Sequence, residues 1–172
     1  MKKTLQILSE LISEKVIEDF AIGGAVAAIF YTEPSDTADL DIFITFPPDK
    51  LIVSLTDIYD ALKIKGYTNW EKEGIIIEGL PVQFLPAESG LLRKAYETAK
   101  SQKIAGTEAK IMLFEYLCAI MLDTGRPKDK VRLANCWASK NLNHEKFLKI
   151  CKNQGLEKKW QKFYDNFIQT PI

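Results

Sequence analysis

Asp39 and Asp41 flank a single leucine in the run Thr37-Ala38-Asp39-Leu40-Asp41-Ile42-Phe43-Ile44-Thr45-Phe46. The alternation of polar and apolar residues predicts a strand, and side chains two apart on a strand share a face. The two carboxylates therefore point the same way, while Leu40, Ile42 and Ile44 point to the opposite, buried side. Carboxylates held this close repel and raise each other's pKa unless something positive lies between them. A magnesium or manganese ion fills that role, because it takes hard oxygen ligands from one or two carboxylates plus phosphates. The chemistry implied is metal-assisted transfer of a phosphoryl group. Taken alone, an Asp-x-Asp at a strand start is equally well a solvated edge.

A glycine pair precedes the aspartates. Gly23-Gly24 lies between the apolar run Phe20-Ala21-Ile22, read as a strand, and a compact helical segment over 25–31. Residues without Cβ let the backbone approach a ligand, and the first N–H groups of a helix face incoming anions. Triphosphate oxygens would bridge the glycine turn and the metal, with the loop hydroxyls of Ser35 and Thr37 adding hydrogen bonds. The plain alternative is a turn and nothing more. The order strand, Gly-Gly, helix, polar loop, Asp-x-Asp strand is more specific than either half.

These residues need a frame. Helical spacing runs over 4–17 and 49–64, the second closed by Gly66. Residues 74–86 read as a hairpin turning near Glu78-Gly79. A helix over 91–99 and a short strand pair around 104–111 follow, and then helices over 113–124, 127–139, 143–153 and 156–168. The fold class expected is α/β (α+β), with a core over 1–90 built on a small mixed sheet. A mostly helical part over 91–172 packs on that core without a flexible linker.

Composition excludes several functions. The 23 basic and 23 acidic residues cancel, so any anion site must be local. One histidine, His144, rules out a multi-histidine zinc site, and its polar surroundings read as the solvated first turn of a helix. Three cysteines, Cys118, Cys136 and Cys151, lack CxxC spacing and predict reduced core thiols and a cytoplasmic protein. No stretch approaches the roughly 20 apolar residues of a membrane span, so no membrane partner is expected. Trp137, Phe147, Trp160, Phe163, Tyr164 and Phe167 read as helix-packing residues.

With Gly23-Gly24 followed by Thr37-Ala38-Asp39-Leu40-Asp41, the chain resembles the nucleotidyltransferase superfamily, which includes DNA polymerase β and aminoglycoside nucleotidyltransferases. Leu85-Pro86-Ala87, Glu115-Tyr116-Leu117 and Thr124-Gly125-Arg126-Pro127-Lys128-Asp129-Lys130 are similar to a branch of small bacterial proteins, the toxin halves of abortive-infection toxin–antitoxin pairs. The resemblance spans roughly residues 18–138. It implies a nucleotidyltransferase core in which Asp39 and Asp41 bind metal and Gly23 and Gly24 contact phosphate. It also selects Arg126 and Lys128 as phosphate ligands, where composition alone favours a solvated face over 126–132. The partners implied are a nucleoside triphosphate, an acceptor such as a tRNA or a protein, and an antitoxin protein.

Two positions depart from the superfamily's pattern. The third carboxylate, expected on the strand over 81–85, is replaced by Gln83, which cannot take a proton near neutral pH. Glu78, near the hairpin tip, is a weak candidate for the substitute. Ser35 stands where related proteins often carry arginine. Two readings follow: an enzyme that moves a nucleoside monophosphate onto a hydroxyl or phosphate acceptor, or a nucleotide-binding or partner-binding module without turnover.

Overall fold

The computed structural model describes residues 1–32, 39–49, 54–104 and 106–169. Ser35 and Thr37 lie outside the described residues, as do residues 50–53 of the helix expected over 49–64. The described chain contains eight helices and one mixed seven-stranded sheet, in agreement with the expected class. The elements in chain order are α1 (Lys2–Ser13), β1 (Asp19–Ile22), α2 (Gly24–Ala28), β2 (Leu40–Thr45), α3 (Thr56–Ile64), β3 (Trp70–Glu71), β4 (Gly74–Ile77) and β5 (Leu80–Pro86). They continue as α4 (Gly90–Glu97), β6 (Lys100–Ile104), β7 (Thr107–Ile111), α5 (Phe114–Thr124), α6 (Pro127–Ala138), α7 (His144–Asn153) and α8 (Glu157–Phe167).

The sheet order is β3-β4-β5-β2-β1-β7-β6, which puts the aspartate strand at its centre. β2 runs antiparallel to β1 and parallel to β5, and β1 runs parallel to β7. The expected pair near residue 104 is the antiparallel hairpin β6–β7, and it extends the same sheet beyond β1. The β4–β5 hairpin turns through Glu78 (φ 53°) and Gly79 (φ 80°), both left-handed, as a two-residue turn that follows strand twist requires. β3 is an addition that periodicity did not predict, since two residues carry no alternation to read.

Central strands buried on both sides read as continuous apolar runs. Leu40, Ile42 and Ile44 are indeed buried on one face, but Phe43 is buried on the other, beside Asp41. Ile42 is level with Phe84 of β5, and the ring of Phe84 meets Tyr59 of α3 edge-on at 6.2 Å, so α3 covers that face. Lys65, just past α3, ties it to α1 through Glu10 (2.9 Å) and Glu14 (2.6 Å). On the opposite face α5 packs against α2 and α4, burying Phe114, Leu117, Cys118, Met121 and Leu122. Its left-handed cap Gly125 turns the chain sharply into α6, where Pro127 takes the first helical position. The three cysteines are free and buried, and His144 is exposed, stacked on Trp137 at 3.8 Å. Among the described residues, no helix is long and apolar enough to cross a membrane.

Candidate active site

Asp39 immediately precedes β2 and Asp41 is its second residue, and both line one cleft of about 750 Å³, within the range of ligand sites. The shared-face geometry expected of the pair is therefore present. Asp41 is half-buried. Burial pushes its carboxyl above the ordinary value, and the charge of Asp39 pushes it further. Arg126, Lys128 and Arg132 pull in the other direction without cancelling the shift.

The glycines act on Asp41 directly. A Cβ on Gly24 would lie 1.7 Å from Asp41 Oδ2, and Gly24 adopts φ +56°, a conformation that side chains other than hydrogen resist. A Cβ on Gly23 would lie 2.2 Å from the ring of Phe43. The Gly23 N–H donates to the Asp41 carbonyl at 2.9 Å, so the turn and the strand are joined through the backbone as well. The missing side chains make room for the aspartate and the phenylalanine beneath it. Gly24 borders the smaller recess next to the main cleft, together with Asp41, Gln83 and Arg126.

The start of the loop between α2 and β2 is held firmly. The Tyr31 ring stacks on Phe114 at 5.1 Å, its hydroxyl donates to the Met112 carbonyl at 3.1 Å, and its own carbonyl accepts from Asn141 Nδ2 at 2.6 Å.

The opposite wall is α6. Arg126 and Lys128, the pair the resemblance selects, line the cleft, and so does Arg132. Arg132 was missed although it sits one helical turn beyond Lys128, a spacing that places two side chains on one face. Arg126 is fixed by a hydrogen bond from Nε to Oδ2 of the buried Asp129 at 2.7 Å. The N-terminal end of α6 meets the cleft, adding the positive end of the helix dipole to these cations.

Gln83 is level with Asp41 across the parallel β2–β5 ladder, so the residue at the third-acid position stands beside the aspartates. Glu78 does not. It accepts from the Tyr67 hydroxyl at 2.7 Å and lies 3.6 Å from Lys3, and it lines a separate surface pocket with residues of α1. The reason is the register: Ile75 pairs with Val82, so the β3–β4 turn, not the β4–β5 turn, comes out level with Gln83. Glu71 at the end of β3 and Lys72 and Glu73 of that turn line the cleft. Gln83 Nε2 donates to Glu73 Oε2 at 3.0 Å. Nothing in the sequence marked Glu73, because it lies in a turn after a strand of two residues.

Among the described residues, no group of three or more acidic, histidine or cysteine side chains is gathered closely enough to hold a metal ion. Asp39 and Asp41 offer a carboxylate pair on the central strand's side of the cleft. A magnesium ion is compatible with that, since it is commonly bound by one or two carboxylates with water and phosphate completing its shell. Burial, and after it the charge of Asp39, raises the Asp41 carboxyl, and a cation between the pair would offset the second of these.

No family model matches the chain, and no curated protein matches it by sequence. Solved structures do match. An antigenic nucleotidyltransferase-like protein from Paracoccidioides brasiliensis aligns over 99% of this chain and 93% of its own, with a TM-score of 0.53 and 16% identity. The antibiotic-resistance factor ANT(2'')-Ia aligns in solution over 94% and 91% of the two chains, with a TM-score of 0.45 and 16% identity. Its crystal structure with adenylyl-2''-tobramycin covers 98% of each chain at the same score and identity. These last two matches are too loose to bear weight. The first gives the chain a nucleotidyltransferase-like fold.

Proposed function

We infer that the chain transfers a nucleoside monophosphate from a nucleoside triphosphate to a hydroxyl or phosphate acceptor, with release of pyrophosphate. One observation carries this reading: a single cleft sets a like-charged aspartate pair against Arg126, Lys128 and Arg132. Anionic phosphates need the cations, and the aspartates need a metal that the phosphates also bind. In this reading Asp39 and Asp41 hold Mg2+ or Mn2+, and the ion supplies neutralisation of charge on the transferring group when bound. Lys128, Arg126 and Arg132 bind and orient the phosphate chain. Arg126 is the best fixed of the three through Asp129. Gly24 keeps the Asp41 carboxylate in place by leaving it space.

The test is a single-turnover assay with α-labelled triphosphates and total cellular RNA. Label should pass to an acceptor in a metal-dependent way, and Asp41→Asn should reduce transfer at least about 1,000-fold, in line with losing an electrostatic element of the reaction. Equal transfer by the variant would sink the reading. The resemblance over 85–130 further supports a toxin role. Induced wild-type chain should then arrest bacterial growth and Asp41→Asn should not; unimpaired growth with the wild type would end that part of the proposal.

A further inference from the structure

The replaced third carboxylate has a counterpart that comes from a different strand connection. Glu73 lies in the β3–β4 turn and faces the cleft that holds Asp39 and Asp41. Its Oε2 accepts from Gln83 Nε2 at 3.0 Å, and Gln83 is itself level with Asp41. That bond engages one carboxylate oxygen and leaves Oε1 for a second partner. Arg126 feels the charge of both Asp41 and Glu73, and all three line the same cleft. The turn is built with effort: Lys72 holds φ +53°, a conformation that costs a non-glycine residue free energy and persists where the surroundings demand it. A Cβ on Gly74 next to it would sit 3.0 Å from the Val82 nitrogen, tighter than most side chains come to a neighbour.

We propose that Glu73 is the proton acceptor for the attacking group, and that Gln83 is the positioning residue that holds it. The proposal rests on the nucleotidyl-transfer reading and names a residue for it. In the step, the acceptor hydroxyl oxygen forms a bond to the α-phosphorus. The bond between that phosphorus and the α–β bridging oxygen breaks, and its electron pair leaves with pyrophosphate. The hydroxyl proton passes to the Glu73 carboxylate. A glutamine at position 83 is then not the loss of an acid but the exchange of an acid for an amide that can donate to one. The amide suits this task because it offers two N–H donors, whereas a carboxylate at that position would repel Glu73.

The experiment compares wild type, Glu73→Gln and the double variant Glu73→Gln/Gln83→Asp. Label transfer from α-labelled triphosphates to total cellular RNA is measured beside calorimetric binding of a non-hydrolysable triphosphate with Mn2+. Glu73→Gln should lower transfer at a saturating triphosphate concentration by about 100-fold or more, the usual worth of a general base. Its affinity for the Mn2+–triphosphate should stay within about threefold of wild type, a split that a purely structural role would not produce. The double variant should regain at least about tenfold of the loss by returning an acid beside Asp41. Transfer by Glu73→Gln at the wild-type rate overturns the role of Glu73 and leaves the nucleotidyl-transfer reading intact. Binding by the wild type without any transfer overturns the role of Glu73 while retaining the nucleotide site. Absence of both binding and transfer overturns the reading on which it rests.

Discussion

Asp19 opens β1 and Asp41 lies near the start of β2, and because these strands are antiparallel the two carboxylates stand at opposite ends of one ladder. Their surroundings differ in sign. Burial would raise the Asp19 carboxyl, but bonds from Lys110, from the Tyr96 hydroxyl at 2.7 Å and from the Phe20 N–H at 2.7 Å outweigh it and hold the group below its ordinary value. Burial raises the Asp41 carboxyl as well, and the largest charge effect on it, that of Asp39, raises it further. One end of the ladder is electrostatically complete within the chain. The other is left short of positive charge, with three cations on the far wall of a cleft. The contrast between an aspartate satisfied at one end and a raised one at the other is what the proposed binding site rests on.

The comparison can be broken by removing what distinguishes the two ends. Gly24→Ala should have the largest effect, because it forces a methyl into Asp41 and a left-handed conformation onto alanine. A loss of roughly 2–4 kcal/mol is expected from overpacking and backbone strain together, read from the denaturation midpoint. Lys110→Met should cost about 1–2 kcal/mol at neutral pH, the worth of a charge-assisted bond discounted for its partial exposure. Asp19 is depressed in the fold, so its contribution is present above the unfolded value of 3.8 and is lost as pH falls through the lower folded value. The wild-type advantage over Lys110→Met should therefore shrink on acidification.

Asp41→Asn should behave in the opposite way. The folded carboxyl is raised, so its ionisation subtracts from stability at neutral pH and the subtraction vanishes as the group protonates toward its unfolded value of 3.8. The variant should be more stable than wild type at pH 7 by on the order of 1 kcal/mol, with the difference closing on acidification. Arg132→Gln should change stability least, within about 0.5 kcal/mol, while weakening triphosphate binding. A stability loss at Asp41→Asn comparable to that of Lys110→Met would erase the distinction between the two ends.

The pattern of residues carried much of this. Alternation along 40–45 and the paired glycines located the aspartate strand and its neighbour, because both features are local and periodic. Helices at the C-terminal end were readable to within a residue or two for the same reason, and Pro127 marked the start of α6. What was illegible depended on register. Glu78 and Glu73 both sit in β-turns, and only the pairing of Ile75 with Val82 decides which of them reaches Gln83. The space that Gly24 leaves to the Asp41 carboxylate was also hidden, because a sequence shows a glycine's freedom but not what lies against it. Neutral net charge concealed the cleft's two walls, since opposite charges on facing elements cancel in a sum but not in space.

The most direct test of the central claim is the thermal shift produced by Mn2+ with a non-hydrolysable triphosphate. Binding to the folded chain alone raises the melting temperature, and the rise reports the site's affinity. The account predicts a clear rise for the wild type and for Lys110→Met, whose altered charge lies at the other end of the ladder, and none for Asp39→Asn/Asp41→Asn. An equal rise in the double variant, or none in the wild type, would contradict it.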